Sequence, residues 1–125
     1  MTRILLAEDN VTFAKVLGFK LEVQGYSTTV AHDGRAAWEH AQQAVFDLVM
    51  TDHKMPEMNG VDLCRHLRDD GRYDQTPIIM VTGFCQDLDM AKLSEELKIS
   101  AFVSKPFILA DLIKKVEEVL SACHV

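Results

Sequence analysis

Four short apolar runs in this chain each hand over to residues that can carry or accept charge. Ile4–Ala7 ends in adjacent carboxylates, Glu8 and Asp9. Phe46–Thr51 ends at Asp52, followed at once by His-Lys-Met-Pro-Glu-Met-Asn-Gly over residues 53–60. Ile78–Val81 runs into Thr82, and Ala101–Val103 leads to Lys105-Pro106. An acid pair, a single acid, a hydroxyl and an amine therefore fall at the C-terminal ends of strand-like segments, the edge where open parallel sheets bind ligands. The set suits a metal ion and a phosphoryl group, with Asp52 as the acceptor.

Charge arithmetic supports that chemistry. Unperturbed, Glu8, Asp9 and Asp52 are all ionised at neutral pH, with reference pKa values near about 4. Gathered together they repel by about 4 kcal/mol per pair at ~4 Å in an effective dielectric of ~20. A divalent cation and the Lys105 ammonium would cancel the three negatives, and an all-oxygen donor set favours a hard ion. His53, next to the acceptor, points to the other side of an extended chain and reads as a loop residue. His32, His40, His66 and His124 form no ligand set.

The elements that must position these groups alternate five times between strand and helix. Strand one is Arg3–Ala7; Asn10 caps a helix carrying Phe13, Leu17 and Leu21, and Gly25 supplies its exit. Ser27–Ala31 is strand two, and a helix bearing Ala37, Ala41 and Ala44 follows His32-Asp33-Gly34. Strand three is Phe46–Thr51; Gly60, Leu63, Cys64 and Leu67 mark the inner face of helix three, which Asp69-Asp70-Gly71 ends. Strand four runs from Pro77 to Val81, helix four from Asp87 to Lys98 with apolar residues on two sides, and strand five is Ala101–Val103. Leu109, Leu112, Ile113, Val116, Val119 and Leu120 stripe helix five. Continuous apolar strands between amphipathic helices imply a parallel sheet covered on both faces, with right-handed crossovers. Spacing alone leaves the strand order open.

Composition narrows the function classes. The 125 residues fit one domain with an adequate core, and the net charge of −6 argues against a nucleic-acid surface. No apolar stretch approaches the roughly 18 residues of a membrane span, and no signal-peptide layout precedes strand one. Cys64, Cys85 and Cys123 lack metal or redox spacing, which fits a reducing cytoplasm, with Cys64 as a small apolar core filler.

Glu8-Asp9, the Asp52–Gly60 segment, Thr82 and the segment from Phe102 through Lys105-Pro106 to Phe107 resemble, in order and spacing over essentially the whole chain, the receiver domain of two-component response regulators. The resemblance implies an α/β, flavodoxin-like (βα)5 three-layer sandwich with a five-stranded parallel sheet of order 2-1-3-4-5. It implies a single receiver domain over residues 1–125, standing alone or cut from a longer protein. Asp52 would take a phosphoryl group from a phosphohistidine of a sensor histidine kinase or histidine phosphotransfer protein. Mg2+ or Mn2+ would be held by Glu8, Asp9, Asp52 and the backbone carbonyl of Lys54. Lys105 and Thr82 would meet the phosphoryl oxygens.

By the same resemblance, Thr82 and Phe102 would switch together. The output face would be helix four, strand five and helix five, directed at a protein target that the sequence does not name. Phenylalanine at 102, where many relatives have tyrosine, removes any output that needs the hydroxyl. The resemblance also implies a cis Lys105-Pro106 bond, and bulk at Phe84 that slows hydrolytic loss of the phosphoryl group.

Three rival readings have distinct marks. An aspartyl-phosphate phosphohydrolase of the haloacid-dehalogenase type needs an acid two residues after the nucleophile, where this chain has Lys54. A flavodoxin-like cofactor binder needs a hydroxyl- and glycine-rich first loop, where Glu8-Asp9-Asn10 would repel an anion. A receiver-fold adaptor that is never phosphorylated has no use for the complete residue set.

Overall fold

Alternate side chains of the central strands enter two different cores. The computed structural model describes residues 1–83 and 89–123. Its strands are β1 (Arg3–Ala7), β2 (Ser27–Ala31), β3 (Leu48–Asp52), β4 (Ile78–Thr82) and β5 (Ala101–Ser104). Its helices are α1 (Val11–Val23), α2 (Gly34–Gln43), α3 (Gly60–Asp69), α4 (Met90–Leu97) and α5 (Leu109–Cys123). The strands form one parallel sheet in the order β2-β1-β3-β4-β5. Leu5, Val49, Ile78 and Met80 pack with α2, α3 and α4; Ile4, Leu6, Leu48, Met50, Ile79 and Val81 pack with α1 and α5. This is the expected three-layer sandwich. Burial on both faces explains why the strands read as unbroken apolar runs rather than alternating ones.

Side-chain caps fix where helices begin on the site edge. Asn10, Asp33, Asn59 and Asp89 each accept a hydrogen bond from the backbone N–H three residues on, at 2.7–3.1 Å. Gly25 leaves α1 with φ +98°, a conformation that disfavours any residue with a Cβ. Gly60 is required for a different reason: a Cβ there would collide with the carbonyl of Asp52. The loop 53–59 folds back so tightly that the Gly60 N–H donates to His53 O at 2.8 Å.

Several boundaries differ from the sequence-based expectation. β3 begins at Leu48 because Asp47 and Arg3 exchange two hydrogen bonds of 2.8 Å each outside the ladder, while Phe46 tucks under the Arg3 guanidinium. β3, β4 and β5 all extend one residue further toward the site, to Asp52, Thr82 and Ser104. β4 starts at Ile78 rather than Pro77, whose carbonyl still accepts from Val49 N–H. α4 is shorter than Asp87–Lys98; its side-chain cap is Asp89, and Lys98 leaves it with φ +53°. Asp87 and Phe84 lie outside the described residues.

A 3-10 turn, Gly71–Tyr73, was not expected. It plants a fully buried Tyr73 whose hydroxyl sits 2.7 Å from Ala41 O and 2.6 Å from Ala44 O, at the end of α2. From α3, Arg68 spans Tyr73 O (2.5 Å), Leu97 O (2.7 Å) and Lys98 O (3.1 Å), which ties the C-terminal end of α4 down. Cys64 is a buried filler as expected, its thiol pushed up to about 12 by burial. Among the described residues no helix is long and apolar enough to cross a membrane.

Candidate phosphoacceptor site

Register brings the charged residues to one edge. Ala7 lies level with Thr51, Asp52 with Val81, and Thr82 with Ser104. The ladders continue one step past the strands. Glu8 N–H donates to Ala31 O and Lys105 N–H to Thr82 O, both at 2.9 Å. Glu8 and Lys105 thereby emerge beside Asp52, although 97 residues separate them in sequence.

Asp52 is 8 % exposed. Its Oδ1 accepts the N–H of His53 at 2.8 Å, and its Oδ2 accepts Lys105 Nζ at 2.8 Å. The same ammonium reaches Glu8 Oε1 at 3.3 Å. Asn10 N–H donates to Glu8 Oε2 at 3.2 Å, and His32 Nδ1 lies 3.1 Å from the Glu8 carbonyl. One oxygen from each of Glu8, Asp9 and Asp52 lies within 4.8 Å of the others.

Glu8 and Lys105 respond to this crowding. Burial is the main force that lifts the Glu8 carboxyl to about 7; Asp9 and Asp52 add to it, while the Asn10 N–H and Lys105 oppose it. For Lys105 burial works against the charged form. The hydrogen bond and charge of Asp52, with the charge of Glu8, outweigh it and hold the ammonium above its ordinary range. Three clustered acids against one amine form an electron-rich oxygen site short of positive charge, which fits a hard divalent cation. The residues present therefore suit the expected ion.

The sequence matches the family "Response regulator receiver domain" across residues 4–117. The chain belongs to that family. It is 35% identical over 120 residues to the sensory transduction protein RegX3 of Mycobacterium tuberculosis, covering 96% of this chain and 51% of RegX3. It is 34% identical over 124 residues to the transcriptional regulatory protein CpxR of Escherichia coli K12, covering 99% of this chain and 51% of CpxR. The receiver thus spans about half the length of these curated relatives. Among solved structures it is similar to a CheY-like response regulator receiver domain from Methanospirillum hungatei, with a TM-score of 0.90 at 26% identity, covering 99% of this chain and 97% of that one.

Within the receiver, Asp52, Glu8, Asp9 and Lys105 are gathered as the sequence led one to expect. Thr82 is buried at the end of β4, and Lys54 is exposed two residues beyond Asp52. Phe102 is half-buried on β5, level with Met80, and packs against the core under α2, α3 and α4. Thr82 shares strand parity with Met80, so Thr82 and Phe102 face the same side of the sheet. His53 lies in the loop after β3, and Lys105-Pro106 is cis, both as expected.

One contact was missed. Phe13, read only as part of the core-facing spacing of α1, places its ring 5.9 Å from Lys105 Nζ and meets Phe107 edge-on. The available signal was its place in the first turn after Asn10, level with the ends of the strands.

Proposed function

We propose that this receiver is the phosphoacceptor switch of a two-component phosphorelay. The observation that carries the reading is the Asp52 carboxylate, nearly buried, held by Lys105 and grouped with Glu8 and Asp9. One oxygen of Asp52 attacks phosphorus in line; the P–N bond of a phosphohistidine breaks as a P–O bond forms, and the imidazole, already protonated on its other ring nitrogen, leaves as the neutral base with the P–N electron pair. The donor is a sensor histidine kinase or a histidine phosphotransfer protein. The product is an aspartyl phosphate, formed and lost on this protein rather than turned over on a substrate, in the cytoplasm.

Lys105 neutralises one phosphoryl oxygen and Thr82 donates a hydrogen bond to another. Glu8, Asp9, Asp52 and the Lys54 carbonyl would hold Mg2+ or Mn2+, which supplies charge stabilisation for the transferring group. As Thr82 turns toward the phosphoryl group, Phe102 moves into the space beside it. That biases a pre-existing equilibrium on the face formed by α4, β5 and α5, read by a partner protein.

The test is incubation with acetyl phosphate and magnesium, followed by mass spectrometry. One phosphoryl group should be added to the wild-type chain and none to Asp52→Asn. An unaltered wild-type mass, or modification of the Asn variant, would overturn the reading.

A further inference from the structure

Lys105 has a neighbour besides its two carboxylates. Its ammonium nitrogen lies 5.9 Å from the centre of the Phe13 ring. Phe107 packs on that ring at 5.5 Å and 67°, an edge-to-face arrangement. Lys105 and Phe107 come from the same loop after β5, so one ring of α1 holds that loop at two points. Together with Glu8, Asn10 and Pro106 these residues line an open cavity of about 460 Å³ beside the acids.

We propose that Phe13 is the positioning residue for the Lys105 ammonium, keeping it directed at the acceptor through the face of its ring. The proposal rests on the phosphoacceptor reading of the site. A lysine is a compact charge on a flexible four-carbon stem, and this side chain is 34% exposed, so water competes for it. A further carboxylate at the Phe13 position would hold the amine but neutralise it. That carboxylate would also repel an arriving phosphoryl group. An aromatic face attracts the cation and adds no counter-charge, so the ammonium keeps its full charge for the phosphoryl oxygen. Packing with Phe107 keeps that face in place.

Packing alone would make a different forecast. Phe13 also adjoins the core formed with α1 and α5, and there an aliphatic side chain of similar size would serve. The experiment measures the rate of phosphorylation of the full chain by phosphoramidate at saturating magnesium, where the P–N bond breaks and ammonia leaves. Phe13→Leu is compared with phenylalanine analogues of rising fluorine content at position 13, which weaken the ring's attraction for cations while keeping its shape. The expected result is a rate that declines stepwise with fluorination and a roughly two- to five-fold loss in Phe13→Leu, the range an exposed cation–aromatic contact supports. Magnesium affinity should stay constant across the fluorinated series, while the melting temperature falls only by the small amount that a weakened edge-to-face contact with Phe107 accounts for. Should Phe13→Leu fail to fold, the fluorinated series decides alone. A flat series on a chain that phosphorylates normally overturns this proposal and leaves the phosphoacceptor reading standing. A wild-type chain that gains no phosphoryl group overturns both.

Discussion

Lys105 Nζ stands 2.8 Å from Asp52 Oδ2, joining an amine at the end of β5 to an acid at the end of β3 across 53 residues of sequence. The acid side chain is 9% exposed and the amine 34%, so the pair is neither a surface ornament nor fully desolvated. Removing the amine leaves Asp52 beside two other acids without its nearest counter-charge.

Lys105→Ala is therefore expected to cost about 1 kcal/mol of stability in the metal-free chain, the discounted figure for a partly exposed pair. Urea unfolding in the presence of a chelator measures it. Phosphorylation by phosphoramidate should fall on the order of 100-fold, as for loss of one oxyanion-stabilising group. A variant as fast as wild type would show that the amine plays no part in the transfer.

The pH dependence has a definite sign. Glu8 holds a proton up to about 7 in the folded chain against an ordinary value of 4.5, with burial the leading cause. Between those values the native state binds a proton that the unfolded chain releases. Its contribution to stability is thus full below the unfolded value and is lost as pH rises through about 7. In chelator, the melting temperature of wild type should drop by roughly 5 °C more than that of Glu8→Gln between about pH 5 and pH 7.5. Parallel curves would remove Glu8 as the responsible group. Magnesium binding, which needs the carboxylate, should weaken as pH falls through about 7, a trend that calorimetry can follow.

Gly60→Ala places a methyl group against the backbone of Asp52 and His53. The loop 53–59 must open to admit it, at a cost of about 1–3 kcal/mol by analogy with overpacking. Chemical denaturation should register that loss together with slower phosphorylation, because the same backbone presents the acceptor. Unchanged stability would mean that the loop yields freely.

Tyr73→Phe removes a buried hydroxyl shared by the carbonyls of Ala41 in α2 and Ala44 just beyond it. The expected loss is about 1–2 kcal/mol, since the Ala41 carbonyl stays buried without it. Phosphorylation at Asp52 should be unaffected, which separates this structural contact from the site. A slower transfer in the folded variant would contradict that separation.

Much of this architecture is legible in the sequence, for a physical reason. Strands buried on both faces write themselves as apolar runs, and Asn10 and Gly25 mark the ends of α1 in a way few other residues can. The runs nonetheless stopped one residue short at Asp52, Thr82 and Ser104, because polar side chains at a ligand edge end an apolar pattern while the backbone ladder goes on. Tyr73 escaped notice because a three-residue turn has no periodicity to display. Asp47 and Arg3 did so because their exchange is a contact between distant segments. Phe13 looked like one more core residue; helical spacing says which way a side chain points, not that an ammonium from position 105 will arrive beside it.

The two-sided sheet has a consequence for how this protein can change over time. By strand parity Asp52 sits with Leu48 and Met50 on the α1/α5 side, where Phe13 and Phe107 also lie, while Thr82 and Phe102 share the opposite side with Met80. Substitutions in the core under α2, α3 and α4 can therefore change the surroundings of Thr82 and Phe102 while leaving those of Asp52 as they are, and substitutions in the core under α1 and α5 can do the reverse.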